Sequence, residues 1–329
     1  MTPRITLGVL AYRQSTFIDA AVASALAQDC EPLEILLSDD CSPDRTHEQM
    51  AALAAVYRGP HEVVLRRNAR NLGIGGHFNE VVCAARGELI VMMAGDDLSL
   101  PDRVARIAAA WDASGRTLDL IASHLVDMDH DGRNLGVLRV DDLARWRTVG
   151  DWARGRPYIV GAGHAFTRRL FERFGPLGPL VAYEDQINML RALCGGGAGT
   201  IDAALVRYRR GGVSDRLRDF SGERFMAWMR RQTGKHVALH EQWLQDARRA
   251  GCEPLVEQAT RREYRRELFL QALLAEPRLA GRWRATRAHR EVALGWRLRK
   301  FAYLAWPALA ARVRALQALS KRLRHGEGR

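Results

Sequence analysis

The sequence predicts an α/β fold: a mainly parallel sheet with flanking helices, followed by a basic, mostly helical C-terminal region. Three observations carry this. Strand-like apolar runs alternate with helix-like segments through the first half of the 329 residues. Acidic pairs follow two of those runs directly, at the strand ends where open α/β sheets bind ligands. Charge is unevenly placed: residues 1–215 carry 24 Lys+Arg against 27 Asp+Glu, residues 216–329 carry 26 against 11, and the net +12 therefore originates in the last third.

The elements follow in order. Ile5 to Ala11 reads as a buried strand and Phe17 to Ala27 has helical spacing. Leu33 to Leu37 is a short apolar run, and Thr46 to Tyr57 is Ala-rich and helical. Glu62 to Leu65, the helix Phe78 to Ala85 and the apolar run Leu89 to Met93 repeat the cycle. Near-continuous apolar strands of this kind belong to parallel sheets covered on both faces. From about Trp146 the pattern loosens into short strands, helix turns and glycine clusters, among them Tyr158 to Phe166, Gly195-Gly196-Gly197 and Gly211-Gly212. After Ser214 long Arg-rich and Ala/Leu-rich helical stretches take over, which places a boundary near residue 215. One α/β domain is expected over 1–215, with halves of about 1–115 and 116–215, and the basic helical region over 216–329.

Composition excludes several classes. With 47% hydrophobic and 27% charged residues the chain buries a core rather than staying disordered. The longest apolar, uncharged stretch near either end, Phe301 to Ala311, is well short of the ~20 residues that span a bilayer. Met1 to Leu10 alternates like a strand and lacks the pattern of a secretory leader. A cytoplasmic protein is expected, with peripheral contact at the inner membrane face as an option. The five cysteines are odd in number, widely spaced and never C-x-x-C, so free thiols are expected rather than disulfides or a zinc site. The basic last third suits nucleic acid, an anionic membrane or an acidic partner. A nucleic-acid binder would show aromatic residues interleaved with basic ones or a binding motif, neither of which is evident in the balanced first two thirds, and no nucleic acid is expected.

The chemistry lies in the acidic pairs. Leu36-Leu37-Ser38 leads into Asp39-Asp40, and Val91-Met92-Met93-Ala94-Gly95 into Asp96-Asp97. One Asp-Asp alone is commonly a solvated turn or helix cap. Two pairs at corresponding ends of neighbouring strands point to a nucleotide and a hard divalent cation, which prefers carboxylate and phosphate oxygens.

These segments resemble the family 2 glycosyltransferases, which have the GT-A fold. The likeness is carried by Val9-Leu-Ala-Tyr12, by Glu34 through Asp44, by Asn71-Leu-Gly73 with Asn79, by Ala84-Ala-Arg-Gly-Glu88, and by Met93-Ala-Gly-Asp-Asp97 followed by Pro101-Asp-Arg103. A later block runs from Gly163-His-Ala-Phe166 through Phe174-Gly-Pro176 and Tyr183-Glu-Asp185 to Leu205 through Arg210. The resemblance implies a metal-dependent, inverting transfer of a sugar from a nucleoside diphosphate sugar to a glycan or lipid-linked acceptor, in surface polysaccharide synthesis. By that likeness Ala11, Tyr12, Asn71 and Gly73 line the donor, Asp39 and Asp40 bond the base or ribose, and Asp96 reaches the ribose. Asp97 would bind Mg²⁺ or Mn²⁺ on the diphosphate. Glu184-Asp185 matches the acidic pair that supplies the general base, assigned here to Asp185. His164, in a Gly-flanked segment, is expected at the acceptor.

Two departures stand out. Ala94 occupies the leading position of the common Asp-x-Asp-Asp motif, and no His follows Tyr208-Arg209-Arg210; Arg210 is either a fixed cation for the diphosphate instead or a surface arginine. Trp146 and Trp152 are candidates to stack on a sugar ring or to pack in the core. A nucleotidyltransferase would want a Gly-rich loop after the first strand, and Tyr12-Arg13-Gln14-Ser15 has no glycine. A non-catalytic nucleotide-sugar binder is the other alternative. Over Arg297 to Arg324, apolar residues including Leu298, Phe301, Ala305 and Leu309 recur at helical spacing. That face is expected to mediate either protein packing, including self-association, or peripheral membrane contact.

Overall fold

A computed structural model of the chain describes residues 4–210 and 222–306. The first strands are β1 (Ile5–Ala11), β2 (Glu34–Asp39), β3 (Glu62–Arg67) and β4 (Leu89–Ala94), joined through α1 (Ile18–Leu26), α2 (Thr46–Val56) and α3 (Gly73–Ala84). They pair in parallel in the order β3-β2-β1-β4, so the chain reverses its direction of travel across the sheet at β1. Every residue of β2 is buried, as is all of β1 except Leu10, which is why their sequences are apolar on both faces rather than alternating. Ile18, Ala21, Val22 and Ala25 of α1 recur at helical spacing and pack into the same core as Leu7, Val9, Ile35 and Leu37.

The sheet continues through β5 (Leu98–Ser99), α4 (Arg103–Ala113), β6 (Leu120–Met128), β7 (Asn134–Leu138), α5 (Val149–Arg154), β8 (His164–Thr167), α6 (Arg168–Phe174), α7 (Glu184–Leu193) and β9 (Ala198–Arg209). β8 lies antiparallel between β4 and β6, and β9 runs parallel to β6 and antiparallel to β5. β7 forms a hairpin on β6. The helices α8 (Gly222–Ala250), α9 (Glu253–Ala275), α10 (Leu279–Ala288) and α11 (Leu294–Ala305) complete the described chain. This is the GT-A-type α/β architecture with a helical C-terminal region.

Two compact units divide the chain: Met1–Ser214 with Gln242–Val256, and Asp215–Glu241 with Glu257–Arg329. In the first, α7 is fastened to the 242–256 segment by a fully buried ion pair, with Arg191 Nε 2.6 Å from Asp246 Oδ2. Trp152 packs edge-on against Trp243 with ring centroids 5.0 Å apart. The Sγ atoms of Cys194 and Cys252 lie 3.9 Å apart and are not linked; all five cysteines are free. The second unit has its own core, in which Phe225, Phe269, Leu273 and Leu304 are buried.

Several expectations are refined. β2 runs two residues beyond the apolar stretch, so Asp39 ends the strand rather than following it. β6 and β9 are long strands in a region whose sequence pattern is loose. Trp152 is core, not a sugar platform. Of the helix expected over 297–324, α11 accounts for the beginning; residues 307–329 lie outside the described residues, as do Gly211 and Gly212. No helix among the described residues is long and apolar enough to cross a membrane.

Candidate active site

The ends of β2 and β4 flank the end of β1. Asp40 N–H donates to Ala11 O at 2.9 Å and Gly95 N–H to Leu10 O at 2.8 Å. The loop after β1 is stitched to the loop after β2: Arg13 N–H donates to Ser42 Oγ and Gln14 N–H to Thr46 Oγ1, each at 2.9 Å. Tyr12 N–H reaches Gln14 Oε1 at 3.3 Å. Ala11 and Tyr12 thus stand on a fixed rim between the two acidic pairs.

Within the first pair the roles separate. Asp40 accepts from Asn68 Nδ2 at 2.7 Å, from Leu72 N–H at 2.9 Å and from Gly73 N–H at 3.0 Å. Its carboxylate therefore neutralises the open amides that begin α3, where Gly73 adopts φ +71°. Asn71 closes the same turn, its Oδ1 accepting from Gly73 N–H at 3.2 Å. Asp39 Oδ2 accepts from Ser42 N–H at 2.9 Å and lies 3.3 Å from Arg67 Nε, but Oδ1 is buried without a hydrogen-bond partner. Asp39 is the member with an open oxygen.

The second pair depends on Gly95. A Cβ there would lie 2.4 Å from Gln14 Oε1 and 3.1 Å from Ala11 Cβ, so only glycine lets the end of β4 press against the β1 loop. Asp97, 1% exposed, accepts the Arg209 N–H at 2.8 Å on Oδ1, while Oδ2 is buried with no partner. Burial, reinforced by the neighbouring Asp96, holds the Asp97 carboxyl well above the usual range, and burial also raises Asp96. Adjacent buried carboxyls with an orphaned oxygen fit a divalent cation. Among the described residues no three His, Cys, Asp or Glu side chains gather as a metal cluster, so Mg²⁺ or Mn²⁺ held by Asp97 would draw further oxygens from a diphosphate and water.

Arg209 is the fixed cation beside this pair. Its guanidinium donates to Asp96 O at 3.0 Å and His130 O at 2.6 Å, and it lies 4.4 Å over the Phe17 ring. Arg210, the candidate cation, instead pairs with Asp127, its Nε donating to Oδ1 at 2.8 Å. Arg210 lies one residue beyond β9, and the backbone N–H that caps Asp97 belongs to Arg209.

Glu184 and Asp185 open α7. Gln186 N–H donates to Asp185 Oδ1 at 2.7 Å, and the Gly161 N–H also bonds its carboxylate. A Cβ on Gly161 would lie 2.6 Å from Glu184 Oε1, so the turn Gly161–Gly163 makes room for the pair. Burial, with the charge of Asp185, pushes Glu184 up to about 8, and burial pushes Asp185 up to about 6. Burial thus holds both neighbouring carboxyls above their ordinary range.

Arg103 connects this turn to β4. Fully buried, it donates from Nη2 to Met92 O at 2.8 Å and to Ala162 O at 2.9 Å, and its charge is felt by Asp97. Nε and Nη1 have no partner, and burial lowers the guanidinium to about 10. His164 is corrected: it is wholly buried, with Nδ1 2.5 Å from Gly161 O and Nε2 3.3 Å from Asn188 Nδ2, and so supports the turn from behind instead of facing an acceptor. Tyr158 lies near Asp185. Its backbone is fixed against Asp141 by bonds of 2.7 and 2.9 Å, its ring is half exposed, and its hydroxyl feels Asp127 and Asp185.

Strand-end carboxylates flanking the point where strand order reverses define a nucleotide-binding α/β fold of the GT-A class. Residues 6–175, over half the chain, match the family model described as Glycosyl transferase family 2, and the chain belongs to that family. It is 36% identical over 143 residues to the succinoglycan biosynthesis protein ExoO of Rhizobium meliloti (strain 1021), covering 44% of this chain and 39% of that protein. It is 28% identical over 159 residues to the putative glycosyltransferase EpsE of Bacillus subtilis (strain 168), covering 48% and 55%. The matched region thus spans only about two fifths to just over half of these relatives. Among solved structures, S. aureus TarS residues 1–349 with UDP-GlcNAc aligns over 98% of this chain and 92% of its own, with TM-score 0.54 and 17% identity. The mannosyltransferase PcManGT of Pyrobaculum calidifontis, with GDP-Man and Mn²⁺, aligns over 96% and 88%, with TM-score 0.54 and 22% identity. At such identities these structures establish the fold alone.

Proposed function

We propose that the protein is a divalent-metal-dependent, inverting glycosyltransferase. It moves a sugar from a nucleoside diphosphate donor to a hydroxyl of a glycan or lipid-linked acceptor, in the synthesis of a surface polysaccharide. The observation that carries this reading is the pair of orphaned, buried carboxylate oxygens, Asp39 Oδ1 and Asp97 Oδ2, at strand ends on either side of β1. Asp39 has an acceptor to offer the base or ribose. Asp97 would hold Mg²⁺ or Mn²⁺, which supplies charge to stabilise the leaving diphosphate. The named relatives and the donors bound by the structural neighbours agree with this reading.

On the acceptor side Asp185 takes the proton of the attacking hydroxyl, and the protonated Glu184 holds its own proton beside it. One base suffices for direct attack with inversion; retention through a covalent intermediate requires a nucleophile next to the donor carbon. Because Asp185 must be ionised, transfer at saturating donor falls as pH drops through about 6. A screen of nucleoside diphosphate sugars with Mn²⁺ identifies the donor by thermal stabilisation, and the product's anomeric configuration is then read by NMR. Asp185→Asn is expected to keep donor binding, reduce transfer about 10³-fold and lose the acidic limb. A product with retained configuration would refute the mechanism.

A further inference from the structure

The second compact unit carries a surface that the sugar-transfer reading does not use. Leu279 and Trp283 stand one turn apart on α10, 56% and 45% exposed, and Leu294 and Leu298 one turn apart on α11, 59% and 39% exposed. Trp283 packs edge-on against Phe301 with centroids 5.5 Å apart, so the two apolar strips adjoin, and Trp306 at the end of α11 is also exposed. Leu304 of α11 turns inward, as apolar residues of an amphipathic helix do in a globular unit, but these residues face out. Here arginines turn inward. Arg297 is buried and bonds Thr286 O, and Arg282 bonds Glu276 O and Leu304 O, which locks α10 and α11 together.

The remaining arginines frame the apolar strips. Arg278, Arg284, Arg287, Arg290 and Arg299 are exposed, and Arg287 continues the Leu279–Trp283 strip by one further turn. The acidic side chain between Arg278 and Trp306 is Glu291, and it is engaged by His289 Nδ1 at 2.8 Å. Exposed leucine and tryptophan framed by arginine, with almost no acid, match a surface that is apolar at depth and anionic at the headgroups. A protein partner would need an equally acidic rim around an apolar centre; an anionic bilayer supplies both everywhere. We propose that the α10–α11 hairpin is a docking surface for an anionic lipid bilayer, with Leu279, Trp283, Leu294, Leu298 and Trp306 entering the interface and the exposed arginines meeting the headgroups. Such docking would concentrate the protein where membrane-borne acceptors lie.

The test is co-sedimentation of the full chain with vesicles of phosphatidylcholine alone or mixed with phosphatidylglycerol, at low and high salt. It uses neither donor nor acceptor, so its failure is separate from failure of the sugar-transfer reading. The wild type is expected to sediment with the anionic vesicles, and less at high salt. The exposed positions permit two independent variants. Trp283→Ser with Leu298→Ser, and Arg287→Glu with Arg290→Glu, should each weaken anionic-vesicle binding about tenfold or more, with the native helical circular dichroism retained at the assay temperature. Arg145→Glu, an exposed arginine of the first unit, should leave binding unchanged. Absence of wild-type sedimentation with anionic vesicles, or wild-type sedimentation of both double variants, overturns the proposal. Light scattering that finds a dimer dissociated by these substitutions, with no vesicle binding, also overturns it and assigns the face to self-association.

Discussion

The acidic dipeptides that close β2 and β4 have the same two letters, and the fold uses them differently. In Asp39-Asp40 the second carboxylate is saturated: the Asn68 amide and the Leu72 and Gly73 backbone amides all donate to it, and it serves as the anchor of α3. In Asp96-Asp97 the second carboxylate receives one backbone donor, from Arg209, and keeps an oxygen buried and unpartnered. A buried carboxylate with several donors is already compensated; one with a single donor and a carboxyl neighbour is short of positive charge. The two pairs therefore divide into a structural anchor at Asp40 and a cation-seeking group at Asp97.

Substitutions that remove charge and keep shape set the two pairs against each other. The largest expected effect is at Asp97→Asn, which should lower turnover about 10³-fold at saturating donor and Mn²⁺. Its Tm should not fall, since the change relieves burial of a charge beside Asp96. Asp40→Asn should do the reverse, costing about 2 kcal/mol of stability in urea titrations through loss of the anion that caps α3. If Asp40→Asn melts like wild type, or Asp97→Asn is the less stable of the two, the division between anchor and cation site is wrong.

The smallest expected effect concerns the third acidic pair. Glu184 is raised in the folded protein, so the folded state holds its proton more tightly than the unfolded chain does. Stability conferred by that proton is complete at pH below the ordinary glutamate range and is lost as pH rises towards about 8. Glu184→Gln removes the loss, and should raise Tm by about 2 °C near pH 8 with no gain near pH 4. Thermal melts across that range check the sign.

Much of this arrangement was legible in the sequence because it is local. Continuous apolar runs marked the parallel strands, and the acidic pairs mark their ends whatever the partners are. The division of labour within each pair was not legible, since it depends on groups far along the chain: Arg209, which caps Asp97, is 112 residues away. Arg209 was not among the expected site residues for the same reason. Only the pairing of β9 with β5 and β6 brings the Arg209 backbone to Asp97. His164 stands among glycines in sequence, yet β8 is a central strand between β4 and β6, which buries it. Arg103 was visible as part of a motif, but its bonds to Met92 and Ala162, which tie β4 to the Gly161–Gly163 turn, exist only in the folded sheet.

The central claim is that Asp97, and not Asp40, is the group short of a cation. Electron paramagnetic resonance of Mn²⁺ titrated into the protein with saturating nucleoside diphosphate measures this directly, without an acceptor or turnover. Wild type and Asp40→Asn should bind one Mn²⁺ with similar affinity, and Asp97→Asn should lose at least about tenfold, with nucleotide binding in the absence of metal unchanged. Equal Mn²⁺ affinity in Asp97→Asn and wild type would contradict the account.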